Sequence, residues 1–182
     1  MKKKFLIVVD MQKDFVTGSL GTREAQAIVP AVVRKVQEFD GSVLFTKDTH
    51  EENYLASQEG RLLPVPHCIR GTDGWQLLPE LDAFCAEHGC RVYEKPTFGC
   101  TALAHDLCAV NAAEGIESIE LIGLCTDICV VSNALLLKAA MPEVPILVDE
   151  SCLAGVTPEK HDAALETMRS CQITVCSARS EE

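Results

Sequence analysis

Reactive side chains gather where apolar runs have just ended. Asp10 follows Phe5–Val9; Lys47, Asp48, Thr49 and His50 follow the run that begins at Ser42; Glu94 and Lys95 follow Arg91; and Cys125 and Cys129 bracket Thr126-Asp127-Ile128 beyond Ser118–Gly123. A thiol, a carboxylate and an ammonium are the ingredients of nucleophilic catalysis. The sulfur attacks, the carboxylate carries the proton, and the cation favours the thiolate. Partial burial of Asp10 would raise its pKa toward useful values. Cys129 falls in the first turn of an expected helix, where backbone N–H groups and the helix dipole favour a thiolate and can hold an oxyanion. Cys125 lies closer to the strand, and spacing alone does not choose between the two. Each residue also has an ordinary explanation: a buried thiol, an Asp capping a turn, a solvated Lys. For three such explanations to coincide at strand ends is a stronger demand than any one of them.

A second set lies in the segment after Ser42–Thr46. Asp48 and His50 are two apart, so an extended chain points both side chains the same way. His67 and Glu59 can be brought round to them by a loop. An Asp, two His and a Glu suit a divalent metal, zinc ahead of iron or manganese; polar loop residues hydrogen-bonded among themselves carry equal weight. His88 and His161 fall on expected helices and read as surface residues, and His105 joins no cluster. Trp75 and Phe98 flank the loop and the Lys95 turn. They either wall a pocket for a flat ring or pack the core.

The elements that must position these groups are short apolar runs alternating with helical patterns. Strands are expected at Phe5–Val9, Ser42–Thr46, Arg91–Glu94, Ser118–Gly123, Pro145–Val148 and Ile173–Cys176. Helices are expected at Ala25–Phe39, with Val29, Val32, Val33 and Val36 at helical spacing, then at Leu78–His88, Leu103–Ala113, Asp127–Ala140 and Pro158–Ser170. Pro79 suits a first helical turn. Residues 47–73 read as one long loop, and long loops in compact domains are usually functional. Six strands alternating with helices predict an α/β fold of three layers, α/β/α, whose mostly parallel six-stranded sheet is covered on both faces by right-handed crossovers. Ligands in such folds bind beyond the carboxyl ends of the strands, which is where the reactive groups fall.

The bulk properties narrow the partners. The 182 residues, 47% hydrophobic and 24% charged, suit one domain, 1–182, with disorder confined to the last residues from Ser177. A net charge of −11 argues against nucleic acid and against an anionic membrane surface. The basic start Lys2-Lys3-Lys4 precedes an apolar run that Asp10 ends too soon for a signal peptide, and nothing approaches a membrane span. A soluble, cytoplasmic protein is expected. The ten cysteines are spread through apolar segments without a CxxC pair, which reads as buried thiols ahead of a zinc knuckle or a disulfide scaffold.

Together these residues resemble the isochorismatase-like cysteine hydrolases, and within them the nicotinamidase branch. Three segments carry the likeness, in order along the chain: Val8-Val9-Asp10-Met11-Gln12-Lys13-Asp14-Phe15, Glu94-Lys95-Pro96-Thr97-Phe98-Gly99, and Gly123-Leu124-Cys125-Thr126-Asp127-Ile128-Cys129-Val130. The resemblance implies Asp10, Lys95 and Cys129 as catalytic residues, Cys129 being the one directly after the Thr-Asp-x step. It implies a cis peptide at Leu124–Cys125 and an oxyanion site at the N–H groups of Cys125 and Cys129. Asp48-Thr49-His50 and Pro66-His67-Cys68 look like the branch's metal ligands, with Glu59 as fourth and Glu51 or Glu52 as substitutes. The metal would hold the pyridine nitrogen of nicotinamide, with Phe15 and Phe98 lining the pocket. The expected partner is a small-molecule amide, and relatives suggest a homo-oligomer. The competing expectations are an amidase of the same superfamily acting on a carbamoyl or ureido substrate, and, from another class, a non-enzymatic metal- or redox-binding protein.

Overall fold

Strand β1, Lys3–Val9, shows why the sheet is central. Phe5, Ile7 and Val9 pack into one apolar cluster and Leu6 and Val8 into another, all of them buried. A strand apolar on both faces must be covered on both. The computed structural model describes residues 2–177; residues 178–182, where disorder is expected, lie outside them. Six strands form one parallel sheet: β1, then β2 Ser42–Asp48, β3 Arg91–Lys95, β4 Ile116–Leu124, β5 Ile146–Ala154 and β6 Thr174–Cys176. Their order across the sheet is β3-β2-β1-β4-β5-β6. The chain therefore builds outward from β1 in one direction and returns to build in the other. Its switch point falls between β1 and β4, where such sheets open a crevice beyond the carboxyl ends.

Helices cover the two faces. On one lie α2, Arg23–Glu38, through Ile28, Val32 and Val36, and α4, Pro79–His88, through Leu81 and Cys85. On the other lie α5, Thr101–Glu114, α6, Val131–Ala140, and α7, Pro158–Ser170. Local chemistry sets their ends. The Thr22 hydroxyl accepts from Ala25 N–H, and the Thr157 hydroxyl from Lys160 N–H, each satisfying a donor left free at a helix start. Gly89, at φ 61, closes α4. Burying each large aliphatic side chain of these layers is worth about 1.5–3 kcal/mol.

Several boundaries depart from the sequence-based expectation. β2 runs on through Lys47 and Asp48 because both pair with β3, Lys47 with Glu94 and Asp48 with Lys95. Backbone pairing continues there although the side chains turn polar. The expected long loop also holds a 3-10 turn at Tyr54–Ala56 and the short helix α3 at Gln58–Leu62, and a further short helix, α1, Lys13–Val16, follows β1. β5 extends to Ala154 past an irregularity: Leu121 pairs with Val148, yet Gly123 pairs with Leu153. The extra residues include Asp149, Glu150 and Ser151, whose polarity hid the strand. The helix expected at Asp127–Ala140 is in fact two pieces, a widened π-type turn at Thr126–Val130 and then α6.

One glycine permits the closest approach in the sheet. Gly123 stands at φ +110, and a β-carbon there would lie 2.1 Å from the Val9 carbonyl oxygen. The chains that leave β1 and β4 for the crevice are thus drawn together at a point where only a hydrogen fits.

Candidate active site

The carboxyl ends of β1 to β4 deliver the groups expected of them. Asp10 is fully buried and adopts φ 48, a left-handed conformation that Asp tolerates better than most residues and that recurs at functional sites. Its Oδ1 accepts from the Thr46 hydroxyl at 2.6 Å. Its Oδ2 lies 2.6 Å from Lys95 Nζ, and Lys95 is itself only 1% exposed. The same ammonium stands 3.4 Å from Cys129 Sγ and 3.4 Å from Asp48 Oδ1. A thiol, two carboxylates and one cation thus share a buried cluster.

Their proton affinities follow from that burial. Desolvation raises Asp10, and the Lys95 charge only partly offsets it. Burial pushes the Cys129 thiol well above the usual range, with the Asp10 charge acting in the same direction and Lys95 opposing it. Burial would lower Lys95, but the charges of Asp10, Cys129 and Asp48 outweigh it and hold the ammonium protonated. The sulfur therefore rests as a thiol beside the Lys95 ammonium, and the Asp10 carboxyl, its proton affinity raised, stands next to it as the group able to carry the proton. Cys125 is pushed up to about 12, chiefly by burial.

The nucleophile turn is built by unusual backbone pairing. The Leu124–Cys125 peptide is cis. The Cys125 carbonyl accepts from both Ile128 N–H and Val130 N–H at 3.1 Å. The Cys125 N–H finds no backbone or side-chain acceptor among the described residues, leaving it available to a ligand. Asn133 ties the turn to the Lys95 segment: its Nδ2 donates to the carbonyls of Cys129, at 2.8 Å, and Phe98, at 3.1 Å, and its Oδ1 accepts from Cys100 N–H at 2.8 Å.

Asp48, His50, Glu59 and His67 meet beside this cluster, each offering one ligand atom within 4.8 Å of the others. His50 Nε2 lies 3.1 Å from Asp48 Oδ2 and 3.6 Å from Glu59 Oε1; His67 Nε2 lies 3.5 Å and 3.9 Å from the same two oxygens. Ligands about 2.0–2.1 Å from a tetrahedral zinc would be roughly 3.3–3.4 Å apart, so the cage is close to that size. His67 Nδ1 donates to the Val65 carbonyl at 2.8 Å, which fixes the ring with Nε2 aimed into the cage. Asp48 is held well below the usual carboxylate range: burial pushes it up, but hydrogen bonds from His50 and His67 and the Lys95 charge prevail. Two imidazoles and two carboxylates are a fitting donor set for a divalent cation. Glu59 fills the fourth position; Glu51 instead pairs with Arg70 Nε at 3.0 Å, and Glu52 is exposed.

A cavity of about 240 Å³ joins the two sets. Asp48 and His67 from the cage, Cys125 and Cys129 from the turn, and the rings of Phe15 and Phe98 are in its wall. Phe15 is buried, whereas Phe98 is 41% exposed at the rim. Trp75 does not line it. Its indole N–H donates to Thr49 Oγ1 at 2.9 Å, and its face carries Lys47 Nζ 3.1 Å from the ring centre. Of the two readings of Trp75, packing is the one observed.

Several contributing residues escaped the sequence reading. Gln12 clamps the Asp48 backbone, its Oε1 accepting from Asp48 N–H and its Nε2 donating to Asp48 O. Asp14 Oδ2 accepts from Cys68 N–H at 2.8 Å, anchoring the segment that carries His67. Tyr54 packs its ring 4.6 Å from His50 and 5.0 Å from His67. His161, expected at the surface, instead brings Nδ1 to 2.8 Å from the buried Thr126 hydroxyl. His88 is exposed as expected, and His105, also exposed, joins no metal cage among the described residues. Gln12 and Asp14 follow Asp10 closely and offered a local signal; the others depend on distant partners.

Fold and site together define a parallel-sheet α/β protein with a thiol-centred cluster at its topological switch point and, beside it, four side chains grouped closely enough to hold a metal. An isochorismatase domain spans residues 4–180, and the chain belongs to the isochorismatase family. It is 29% identical over 188 residues to the nicotinamidase/pyrazinamidase of Mycobacterium tuberculosis, covering 95% of this chain and 98% of that one. The crystal structure of the nicotinamidase/pyrazinamidase of Bacillus subtilis superposes with a TM-score of 0.83 at 31% identity, covering 97% of this chain and all of the other. The pyrazinamidase of Pyrococcus horikoshii, solved in complex with zinc, gives a TM-score of 0.74 at 26% identity over 97% of this chain and 99% of that one.

Proposed function

We propose that this chain is a metal-assisted cysteine amidohydrolase that converts nicotinamide and water to nicotinate and ammonia through a thioester on Cys129. The observation that carries the reading is Lys95 Nζ lying 2.6 Å from Asp10 Oδ2 and 3.4 Å from Cys129 Sγ, in a cluster that opens on the cavity beside the four-ligand cage. The names of the similar proteins supply the substrate class.

Asp10 takes the Cys129 proton while Lys95 balances the charge that results. The thiolate adds to the carboxamide carbon, and the oxygen, now negative, is received by the N–H groups of Cys125 and Cys129. Donors aimed in advance at that oxygen are worth about 10²–10³ in rate each. Asp10 returns its proton to the nitrogen as ammonia departs, leaving the thioester. It then takes a proton from the attacking water, whose oxygen completes nicotinate as Cys129 is released. Phe15 and Phe98 give the flat ring apolar walls.

Asp48, His50, Glu59 and His67 would hold a divalent metal, zinc by the precedent of the Pyrococcus protein, whose Lewis acidity offers a binding position for the ring nitrogen. The ten free thiols suit a reducing compartment and hence the cytoplasm. The test is ammonia release from nicotinamide, measured with and without a strong chelator and for Cys129→Ala. The reading expects turnover in the metal-loaded protein, loss on chelation, and none for the variant with fold and metal content kept. Turnover by Cys129→Ala, or an inert metal-loaded wild type, overturns it.

A further inference from the structure

The turn that carries Cys129 is fastened to the corner between β5 and α7. His161, in the first turns of α7, brings Nδ1 to 2.8 Å from Thr126 Oγ1. Asp127 Oδ1 accepts from Val156 N–H at 2.9 Å. Between these ties lies Gly155, where a β-carbon would stand 2.9 Å from Asp127 Oδ1 and 2.9 Å from His161 Cβ. The corner thus presses on the turn more closely than any side chain at Gly155 would allow. Thr126 is fully buried, and His161 is half-buried.

Thr126 directly follows Cys125. The Cys125 carbonyl is already fixed by Ile128 and Val130, while its N–H faces no acceptor among the described residues. Holding the Thr126 side chain on one side and the Cys125 carbonyl on the other fixes the Cys125–Thr126 peptide, and with it the Cys125 Cα from which the N–H of the preceding peptide is aimed. Such fixation matters most for a group that must meet a charge only as it develops, since a donor already in place needs no reorganisation. A displacement of about 1 Å at such a point can cost on the order of 10²-fold in rate.

We propose that His161 is a positioning residue: through Thr126 it sets the direction of the Cys125 N–H that receives the developing oxyanion. The inference rests on the amidase reading of the site. It assigns a purpose to a histidine that the reaction itself does not touch, and it predicts a defect in turnover without a defect in substrate binding.

The test compares His161→Ala, His161→Asn, Thr126→Val and the double variant His161→Ala/Thr126→Val. Asparagine can present a polar atom close to the position of Nδ1. Expected for His161→Ala is a fall in kcat of about 10–100-fold with KM for nicotinamide within about twofold, bound metal unchanged, and most of the loss restored in His161→Asn. The double variant should be no slower than Thr126→Val alone, because both changes remove the same tie. An unchanged kcat, a loss of rate only in proportion to folded or metal-loaded protein, or additive losses in the double variant would overturn the proposal. The same ratios are read from Cys129-dependent hydrolysis of p-nitrophenyl acetate. A wild type inert toward nicotinamide that still shows the ratios on the ester sinks the substrate assignment and keeps the positioning; ratios near one on both substrates sink the positioning alone.

Discussion

The carboxylate of Asp48 lies 3.4 Å from the ammonium of Lys95 while its other oxygen faces His50 and His67. One side chain therefore belongs both to the cage and to the cluster around Cys129. Substitutions in the cage should differ accordingly. His67→Ala should lose most bound metal yet leave the Lys95–Asp10 pair as it is. Asp48→Asn should lose metal and also remove one of the anions that hold Lys95 protonated. Elemental analysis should show both variants depleted. Excess zinc should restore activity in His67→Ala to a greater extent than in Asp48→Asn.

Lys95→Met should destabilise the fold by about 3–5 kcal/mol, because it leaves the fully buried Asp10 carboxyl without its partner. Adding Asp10→Asn to it should recover a large part of that loss while leaving the enzyme inactive. Denaturant unfolding of the single and double variants checks this; a double variant no more stable than Lys95→Met would contradict it.

A second ion-pair cluster governs the response to pH. Lys35 Nζ lies 2.6 Å from Glu120 and 3.0 Å from Asp149, and all three side chains are mostly buried. Asp149 is lowered from 3.8: burial pushes it up, but Ser151 and Lys35 hydrogen bonds prevail. A carboxylate with a depressed folded pKa contributes stability that is fully present well above 3.8 and is lost as pH falls through its folded value. Lys35 is raised despite burial by its two carboxylate partners, so its contribution holds below 10.5 and is lost as pH rises through the folded value. Unfolding curves from pH 3 to 7 should therefore fall off less steeply in acid for Asp149→Asn than for wild type. Lys35→Met should cost about 1.5–3 kcal/mol at neutral pH.

Asn133→Leu should cost about 1–3 kcal/mol by leaving the buried Cys100 N–H without its acceptor. It also frees the Phe98 carbonyl from the nucleophile turn. KM for nicotinamide should rise as the rim residue loses its tether, which steady-state kinetics beside a thermal melt would reveal.

The sheet and the reactive residues at its edge were legible because both are local signals. An apolar run followed at once by Asp10, Asp48 or Lys95 says where a strand stops and what stands there. The grouping was partly local, since Asp48 and His50 share a side of one extended segment; the approach of Glu59 depends on α3 folding back across them. The widened turn at Thr126–Val130 left no trace, because shifting hydrogen bonds by one residue does not disturb the apolar pattern. Nor did the contacts of Asn133 with Cys100 and Phe98 or of His161 with Thr126, whose partners lie 33 to 35 residues away in sequence. The pattern of α7 alone puts His161 at the surface; the packing of that helix against the turn decides otherwise.

The hydrogen at Gly123 has a bearing on how such a chain can vary. Every single-base change in a glycine codon that alters the residue either brings a β-carbon or ends translation. With the Val9 carbonyl where it is, none of the new side chains can be seated without prising β1 from β4 just where Asp10 and the nucleophile turn begin. Lineages carrying this enzyme can drift freely in the exposed helices while this one codon stays where it is.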